Sequence, residues 1–193
     1  MRILRAADHR RMPWKNGGGE TCEIAAAPDG ATLDALDWRI SMAVVASDGP
    51  FSLFEGIDRT LTVLAGELEL DFGEGRHVPL GPDSPPFPFA GDDRVEARLI
   101  HGEVTDLNVM TRRDRCRHRV TRMVLRQQHT WRTDADVVAL FCCEGELEFI
   151  PGGAGRLASR DCALLAHPAE FILTARAATC LIAEIYFTAA TGT

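Results

Sequence analysis

An alternating segment that turns at a glycine runs Val63-Leu64-Ala65-Gly66-Glu67-Leu68-Glu69-Leu70. The pattern returns 79 residues further on as Cys142-Cys143-Glu144-Gly145-Glu146-Leu147-Glu148-Phe149. Each copy predicts a strand that ends at the glycine and a second strand that leaves it, as in a hairpin. Because a glycine-rich turn and a proline-containing segment follow both copies, the spacing indicates two related β modules. The alternative is that the same good hairpin chemistry simply occurs twice.

Period-two alternation continues through much of the chain. In the segment 38–45, Trp38 and Ile40 share one face of a predicted strand, and Arg39 and Ser41 share the other. Further short runs are separated by clusters of Gly, Pro and Asp, and only the segment 32–36 hints at a helical turn. Many short strands with turn signals between them are typical of a sandwich or barrel. The sequence therefore predicts an all-β protein.

Composition and charge exclude several classes of protein. The chain has 193 residues, 46% hydrophobic and 25% charged, which suits one ordinary domain or two small ones. A formal net charge of −7 argues against a nucleic-acid surface. We find neither a membrane-spanning stretch nor a signal peptide, so we expect a soluble, cytoplasmic protein that binds no nucleic acid and no membrane. The basic run 112–119 is interpreted as a solvated strand edge or partner surface, with polyanion binding as the alternative.

A strand, the pattern V-L-x-G-E-x-x-x and a proline-rich turn together resemble a cupin barrel. The resemblance implies a bicupin with two jelly-roll barrels, for which we predict an N-terminal barrel with the ligand pocket at 1–115 and a degenerate C-terminal barrel at 116–193. Most cupin enzymes hold a divalent metal through an H-x-H pair, a Glu and a later His. Here Arg59 stands at the Glu position, and the window 51–55 has no histidine. Since an arginine repels a cation and attracts an anion, we expect no metal and no cofactor.

The most specific segment is M-P-W-K-N-G-G-G at 12–19, where three glycines allow a close backbone approach. Further motifs follow it in order: W-R-I-S at 38–41, D-G-P-F-S at 48–52, F-E-G-I-D-R at 54–59, F-A-G-D at 89–92 and D-L-N-V-M at 106–110. Together they resemble the HutD/Ves family of bacterial bicupins over roughly Met12 to Arg113. The chain departs from the family at Glu55, where proline is more frequent, and at Leu107, where phenylalanine is more usual.

The resemblance implies a metal-free protein encoded with histidine-degradation enzymes. Such a protein would bind a small acidic intermediate, formylglutamate or urocanate, and would sense or restrain the histidine and urocanate degradation pathway. No catalytic reaction is established for the family. Carried over position by position, the implied ligand-binding residues are Lys15, Asn16, Arg39, Ser41, Phe51, Ser52, Arg59, Asn108 and Met110.

The residue chemistry independently suits such a pocket. Lys15, Arg39 and Arg59 would supply cationic donors for a small mono- or dicarboxylate. The alternative is that Arg39 or Arg59 forms an internal salt bridge with Asp58 or Asp106. In the C-terminal barrel, aromatic residues predict a filled core with no site: Phe141, Phe149, Phe171 and Phe187.

Two other function classes stay open at this point. A metal-free cupin enzyme acting on a small carboxylate would need a general base, for which Asp58 and Asp106 are the available carboxylates. A protein-interaction module would use the basic run 112–119 as its partner surface. We expect binding rather than catalysis, and either a monomer or a homodimer.

Overall fold

The computed structural model of the chain describes residues 1–14, 17–150 and 155–188, with the backbone alone at Ile150. It divides into two compact units. The first unit is Arg10–Arg115, and the second unit combines Met1–His9 with Cys116–Thr193. The division between Arg115 and Cys116 lies between two strands of the chain.

The first unit consists of two antiparallel sheets. Six strands form the larger sheet, in the order β2 (Arg10–Pro13), β3 (Gly19–Ala27), β4 (Trp38–Val45), β11 (Val104–Arg112), β6 (Ile57–Ala65) and β9 (Phe87–Ala90). Four strands form the smaller sheet, in the order β5 (Gly49–Pro50), β10 (Glu96–Leu99), β7 (Leu68–Asp71) and β8 (His77–Leu80).

The second unit is organised around one long strand, β14 (Val137–Ile150). Its first half pairs with two neighbours and its second half with two others, so the strand takes part in two layers. The remaining elements of the second unit are β1 (Arg2–Leu4), a 3-10 helix (Ala6–Asp8), β12 (Cys116–Leu125), β13 (His129–Arg132), β15 (Gly155–Ala158), β16 (Cys162–Ala166), β17 (Glu170–Thr174) and β18 (Ala178–Phe187).

The all-β prediction is confirmed, and the described residues contain no α-helix. The segment 32–36 forms a single turn, closed by a hydrogen bond of 3.1 Å from the Leu36 N–H to the Thr32 carbonyl. The expected barrels are not closed, because in none of the described sheets does the strand pairing return to the strand at which it began. In the part of the chain that the structure covers, no helix has the length and hydropathy needed to cross a membrane.

Apolar side chains fill the interior of each unit. In the first unit, Leu61 and Val63 of the larger sheet pack with Leu68 and Leu70 of the smaller one. In the second unit, the core cluster takes side chains from both halves of β14 and from the strands paired with them. Burial of the alternate residues of these short strands is what holds the layers together.

The two units repeat one pairing scheme. In the first unit β6 pairs with β9 and β11, and β7 pairs with β8 and β10. In the second unit the first half of β14 pairs with β16 and β18, and its second half with β15 and β17. The outer strands correspond too. β4 pairs with β11 in the first unit, as β12 pairs with β18 in the second. Likewise, β5 pairs with β10 in the first unit, as β13 pairs with β17 in the second. This correspondence supports duplication over chance recurrence of hairpin chemistry.

Local irregularities recur at the same place in both copies. Leu64 is the extra residue of a bulge between β6 and β11, and Cys143 is the extra residue between β14 and β18. A glycine with positive φ follows each bulge, at +78° for Gly66 and +83° for Gly145. At both glycines a side chain would meet the carbonyl oxygen of the residue that precedes the partner strand. Glycine is therefore required at both positions by backbone angle and by space. The hairpins predicted at the two glycines do not form, because β6 and β7 belong to different sheets and β14 continues through Gly145.

Replacing Gly66 with alanine should destabilise the protein by about 2–4 kcal/mol. A Cβ there would lie 2.5 Å from the Glu103 carbonyl oxygen, which adds a steric cost to the unfavourable left-handed backbone. Gly73→Ala is the matched control, because Gly73 has the same φ of +78° and open space around it. Its expected cost is about 1 kcal/mol. Equal losses for the two variants in urea unfolding would contradict the packing argument.

Two sequence-based assignments need correction. Met1–His9 belong to the second unit rather than the first, because β1 pairs with β16 and Ile3 packs against the second core. Phe187 is 46% exposed at the end of β18 and does not fill that core. Phe149 and Phe171 are buried there as predicted, whereas Phe141 is buried but is not part of that core cluster.

Candidate functional site

A cavity of about 460 Å³ opens in the first unit. Residues from the larger sheet, from β5 and from the loop after β5 line it. The lining includes seven of the predicted ligand-binding residues: Arg39, Ser41, Phe51, Ser52, Arg59, Asn108 and Met110. The other two, Lys15 and Asn16, lie outside the described residues.

Strand register brings the distant polar residues together. Three neighbouring strands, β4, β11 and β6, contribute every second residue to the cavity side of the sheet. Met110 is directly opposite Arg39 on one side and Arg59 on the other. Asn108 is likewise opposite Ser41. Because side chains two apart share a face, two arginines and two neutral polar groups converge on one wall.

Arg59 is the buried cation of this wall, with 6% of its surface exposed. Its Nε donates to Asn108 Oδ1 at 3.3 Å, and Nη1 donates to the Ser52 carbonyl oxygen at 3.4 Å. Burial lowers the pKa of Arg59 to about 10, while the charge of Asp106 raises it and the charge of Arg39 lowers it. The side chain therefore remains charged at neutral pH. A guanidinium has five N–H donors, and the hydrogen bonds to Asn108 and Ser52, both described residues, use two of them.

Aromatic rings surround the Arg59 guanidinium. Its Cζ lies 5.0 Å from the ring centroid of Phe89, 5.1 Å from that of Phe51 and 5.3 Å from that of Phe54. These cation–π contacts stabilise the charge where water is scarce. They also fix the orientation of the planar group. A carboxylate that reached it would bind more strongly than at an exposed arginine, because the surroundings are apolar.

Asp106 is the buried carboxyl of the cavity, with 1% of its surface exposed. Burial raises its pKa to about 7, an effect that the charge of Arg59 and a hydrogen bond with Asn108 only partly offset. Its Oδ1 has no hydrogen-bond partner among the described residues. The residues opposite it on the flanking strands, Ala43 and Val63, are apolar.

The internal salt bridges considered for the two arginines are not the ones that form. Arg39 Nε lies 2.7 Å from Glu23 Oε2, a carboxylate on β3. Asp58 instead contacts Arg113 at 2.9 Å near the surface. Arg59 is close enough to Asp106 for their charges to interact, and its hydrogen bonds go to other groups. Of the two cavity arginines, Arg39 is thus hydrogen-bonded to a carboxylate, and Arg59 is hydrogen-bonded to neutral oxygens.

Most arginines of the basic run 112–119 contact other groups of the same chain. Arg112 donates to backbone carbonyl oxygens of the 33–36 turn. The other contacts are Arg113 with Asp58 and Asp92, Arg115 with Asp37, Arg117 over the Tyr186 ring, and Arg119 with Glu184. Arginines held in this way offer less free charge to an acidic partner.

The second unit has apolar or weakly polar residues at three positions where the cavity has polar ones. The bulges of the two units can be aligned with each other. This alignment places the first half of β14 on β6, and β18 on β11. The equivalents of Arg59, Asp106 and Asn108 are Val138, Cys180 and Ile182, in that order. All three belong to the packed core of the second unit. The second unit has charged groups at two other positions of this wall, where Glu184 and Arg119 stand in the places of Met110 and Arg39 and contact each other at 2.7 Å.

Several lining residues were not in the predicted set. Trp14, Thr21, Asp48 and Phe54 line the cavity, as does Asp106. Asp106 shares a strand face with Asn108 and Met110, and that signal was available in the sequence. Among the described residues, no three His, Cys, Asp or Glu side chains are grouped as a metal site would require.

An all-β protein with a duplicated strand scheme and an arginine-containing cavity in one copy is the class that fold and site define. A family model described as HutD matches residues 6–183. The chain belongs to the HutD family, which confirms the resemblance found in the motifs.

Individual relatives agree with this assignment. Protein Ves of Citrobacter koseri is 45% identical over 117 residues, which cover 58% of this chain and 60% of that protein, less than two thirds of its length. An uncharacterized protein in the hutC 3′ region of Pseudomonas putida is 36% identical over 190 residues, which cover 94% of this chain and 96% of that protein. The structure of HutD from Pseudomonas fluorescens, described for a formate condition, superposes with a TM-score of 0.84 and 30% identity. The superposition covers 97% of this chain and 99% of the HutD chain.

More distant structures show the fold alone. A cupin 2 conserved barrel domain protein from Leptotrichia buccalis has a TM-score of 0.58 at 9% identity, with 96% of this chain and 100% of that chain covered. The chain is therefore cupin-like in fold.

Proposed function

We propose that the protein is a cytoplasmic HutD-type binding protein that holds a small carboxylate in the first-unit cavity. The observation that carries the proposal is Arg59, a buried guanidinium that lines a cavity of about 460 Å³ and uses two of its five N–H donors for hydrogen bonds to described residues. A forked guanidinium matches the two oxygens of a carboxylate. The binding is independent of metal, since a cation at this point would be repelled by Arg59.

The proposed ligand is an acidic intermediate of histidine degradation, formylglutamate or urocanate. Support comes from the relatives, one of which is named HutD and one of which is encoded in a hutC 3′ region. By holding the intermediate without turning it over, the protein would sense or restrain flux through the pathway. The two units would be a bicupin in which the second copy contributes structure and no ligand site.

Thermal unfolding with added ligand tests the proposal. A ligand that binds only the folded state raises stability with the logarithm of its concentration, by about 2.7 kcal/mol at one hundred times Kd. For a protein of this size that corresponds to a rise of about 5–10 °C in Tm. Formylglutamate, urocanate and glutarate should be titrated beside glutaramide, the uncharged diamide of glutarate. A flat response to all three acids at millimolar concentration would contradict carboxylate binding.

A metal-free enzyme is the second candidate, and Asp106 is the observation that favours it. A cavity carboxyl whose pKa is raised to about 7 by burial could exchange a proton near neutral pH. Incubating chelator-treated protein with formylglutamate or urocanate and following the substrate by chromatography separates the two functions. Turnover that Asp106→Asn abolishes would establish the enzyme, and stable substrate would favour binding alone.

A further inference from the structure

The carboxylate-binding proposal uses Arg59 and leaves Asp106 unexplained. Asp106 is almost fully buried, lines the cavity, and has an oxygen with no hydrogen-bond partner among the described residues. A buried polar atom without a partner is costly, because it has lost its hydrogen bonds to water. Such an atom in a cavity is satisfied when a ligand brings the missing group.

The charges around Asp106 argue against a ligand that is only an anion. Arg39 is paired with Glu23, so that pair adds little net charge. Arg59 and Asp106 also oppose each other within the same cavity. A simple carboxylate on Arg59 would bring a second negative group beside Asp106, and like charges in one site repel. A hydrogen-bond donor on the same ligand would turn this repulsion into attraction.

We propose that Asp106 is a specificity-determining residue, whose Oδ1 accepts a hydrogen bond from an N–H or O–H group of the ligand whose carboxylate binds Arg59. The inference rests on the proposed function. It narrows the ligand class to acids that carry an N–H or O–H hydrogen-bond donor in addition to the carboxylate. Bare carboxylates are discriminated against because they leave Asp106 both unpaired and repelled.

The second unit supplies a comparison within the chain. The position equivalent to Asp106 is Cys180, which is buried in an apolar core. The scaffold thus accepts a small, weakly polar residue at this place in the strand. A carboxyl is not a requirement of the fold there, which is consistent with a role toward the ligand.

Calorimetric titration of the full chain with two matched pairs of probes, at pH 8 where Asp106 is ionised, tests the inference. Urocanate and cinnamate share an acrylate, and only urocanate has a ring N–H. N-formylglutamate and glutarate share a dicarboxylate, and only the first has an amide N–H. We expect the wild-type protein to bind the donor-bearing member of at least one pair about tenfold or more tightly, the effect of a hydrogen bond to a charged acceptor.

Two variants connect the preference to Asp106. Asp106→Asn keeps the shape and removes the charge, and Asp106→Cys copies the second unit. Both should reduce the preference to about threefold or less by improving the binding of the bare acid, while Arg59 keeps its affinity for carboxylates. Thermal melts without ligand show whether each variant is folded.

The outcomes separate this inference from the proposed function. If no probe binds the wild-type protein, the proposed function fails and the inference with it. If carboxylates bind through Arg59 and neither pair shows a preference, the inference alone is overturned. It is also overturned if the preference is unchanged in a folded Asp106 variant.

Discussion

Replacing Arg59 with methionine is expected to weaken formylglutamate binding by about a hundredfold or more. Removing one partner of a buried, hydrogen-bonded charge pair costs about 2–5 kcal/mol, which corresponds to that loss of affinity. Methionine fills most of the space that arginine occupies and can lie against the rings of Phe51 and Phe89, so the cavity keeps its apolar wall. The loss should appear in the Kd measured by calorimetry.

A conservative change at Arg59 separates charge from geometry. Arg59→Lys keeps the cation and loses the planar fork, so we expect an intermediate loss of about tenfold. Arg98→Met is the matched control, because Arg98 pairs with Asp71 at an exposed site that does not line the cavity. If Arg59→Met and Arg98→Met bind the ligand equally well, the guanidinium is not the carboxylate receptor.

Replacing Asp106 with asparagine is expected to change how stability depends on pH. The pKa of Asp106 is raised to about 7 in the folded protein and is near 4 in the unfolded chain. Below pH 4 the group is protonated in both states and has no effect. As the pH rises from about 4 to about 7, only the unfolded chain releases the proton, so the wild-type protein loses stability. Above about pH 7 the loss is complete.

The size of this loss is set by the gap between the two pKa values, which corresponds to about 4 kcal/mol at most. Asp106→Asn has no such proton, so its stability relative to the wild type should increase by about 2–3 kcal/mol between pH 5 and pH 8, the rest of the loss lying below pH 5. Urea unfolding at both pH values measures the difference. Asp83→Asn is the control, since it changes an exposed carboxylate in a turn. Parallel pH profiles for wild type and Asp106→Asn would show that Asp106 does not carry a raised pKa.

Local sequence pattern was sufficient for the all-β class, while the seven predicted residues that line the cavity came from the positions implied by the family resemblance. Alternation in β4, β6 and β11 identifies which residues share a face, and register then follows from pairing of the faces. Arg39, Arg59 and Asn108 therefore meet in space although they are far apart in the chain. The repeated glycines Gly66 and Gly145 were equally informative, because their backbone angle is a local requirement.

The features that the sequence did not reveal depend on long-range pairing. β3 contains Ala25, Ala26 and Ala27, whose intrinsic preference is helical, and it becomes a strand because β2 and β4 flank it. The contact between Glu23 and Arg39 exists only in that register. β1 pairs with a strand about 160 residues away, which no local pattern indicates. β14 continues through its glycine as a single strand, where the sequence suggested two.

A crystal structure of the complex with formylglutamate tests the central claim most directly. We predict a ligand carboxylate in the first-unit cavity that accepts two hydrogen bonds from the Arg59 guanidinium, at about 2.7–2.9 Å. Ligand density elsewhere on the protein, or a carboxylate in the cavity that makes no contact with Arg59, would contradict the account.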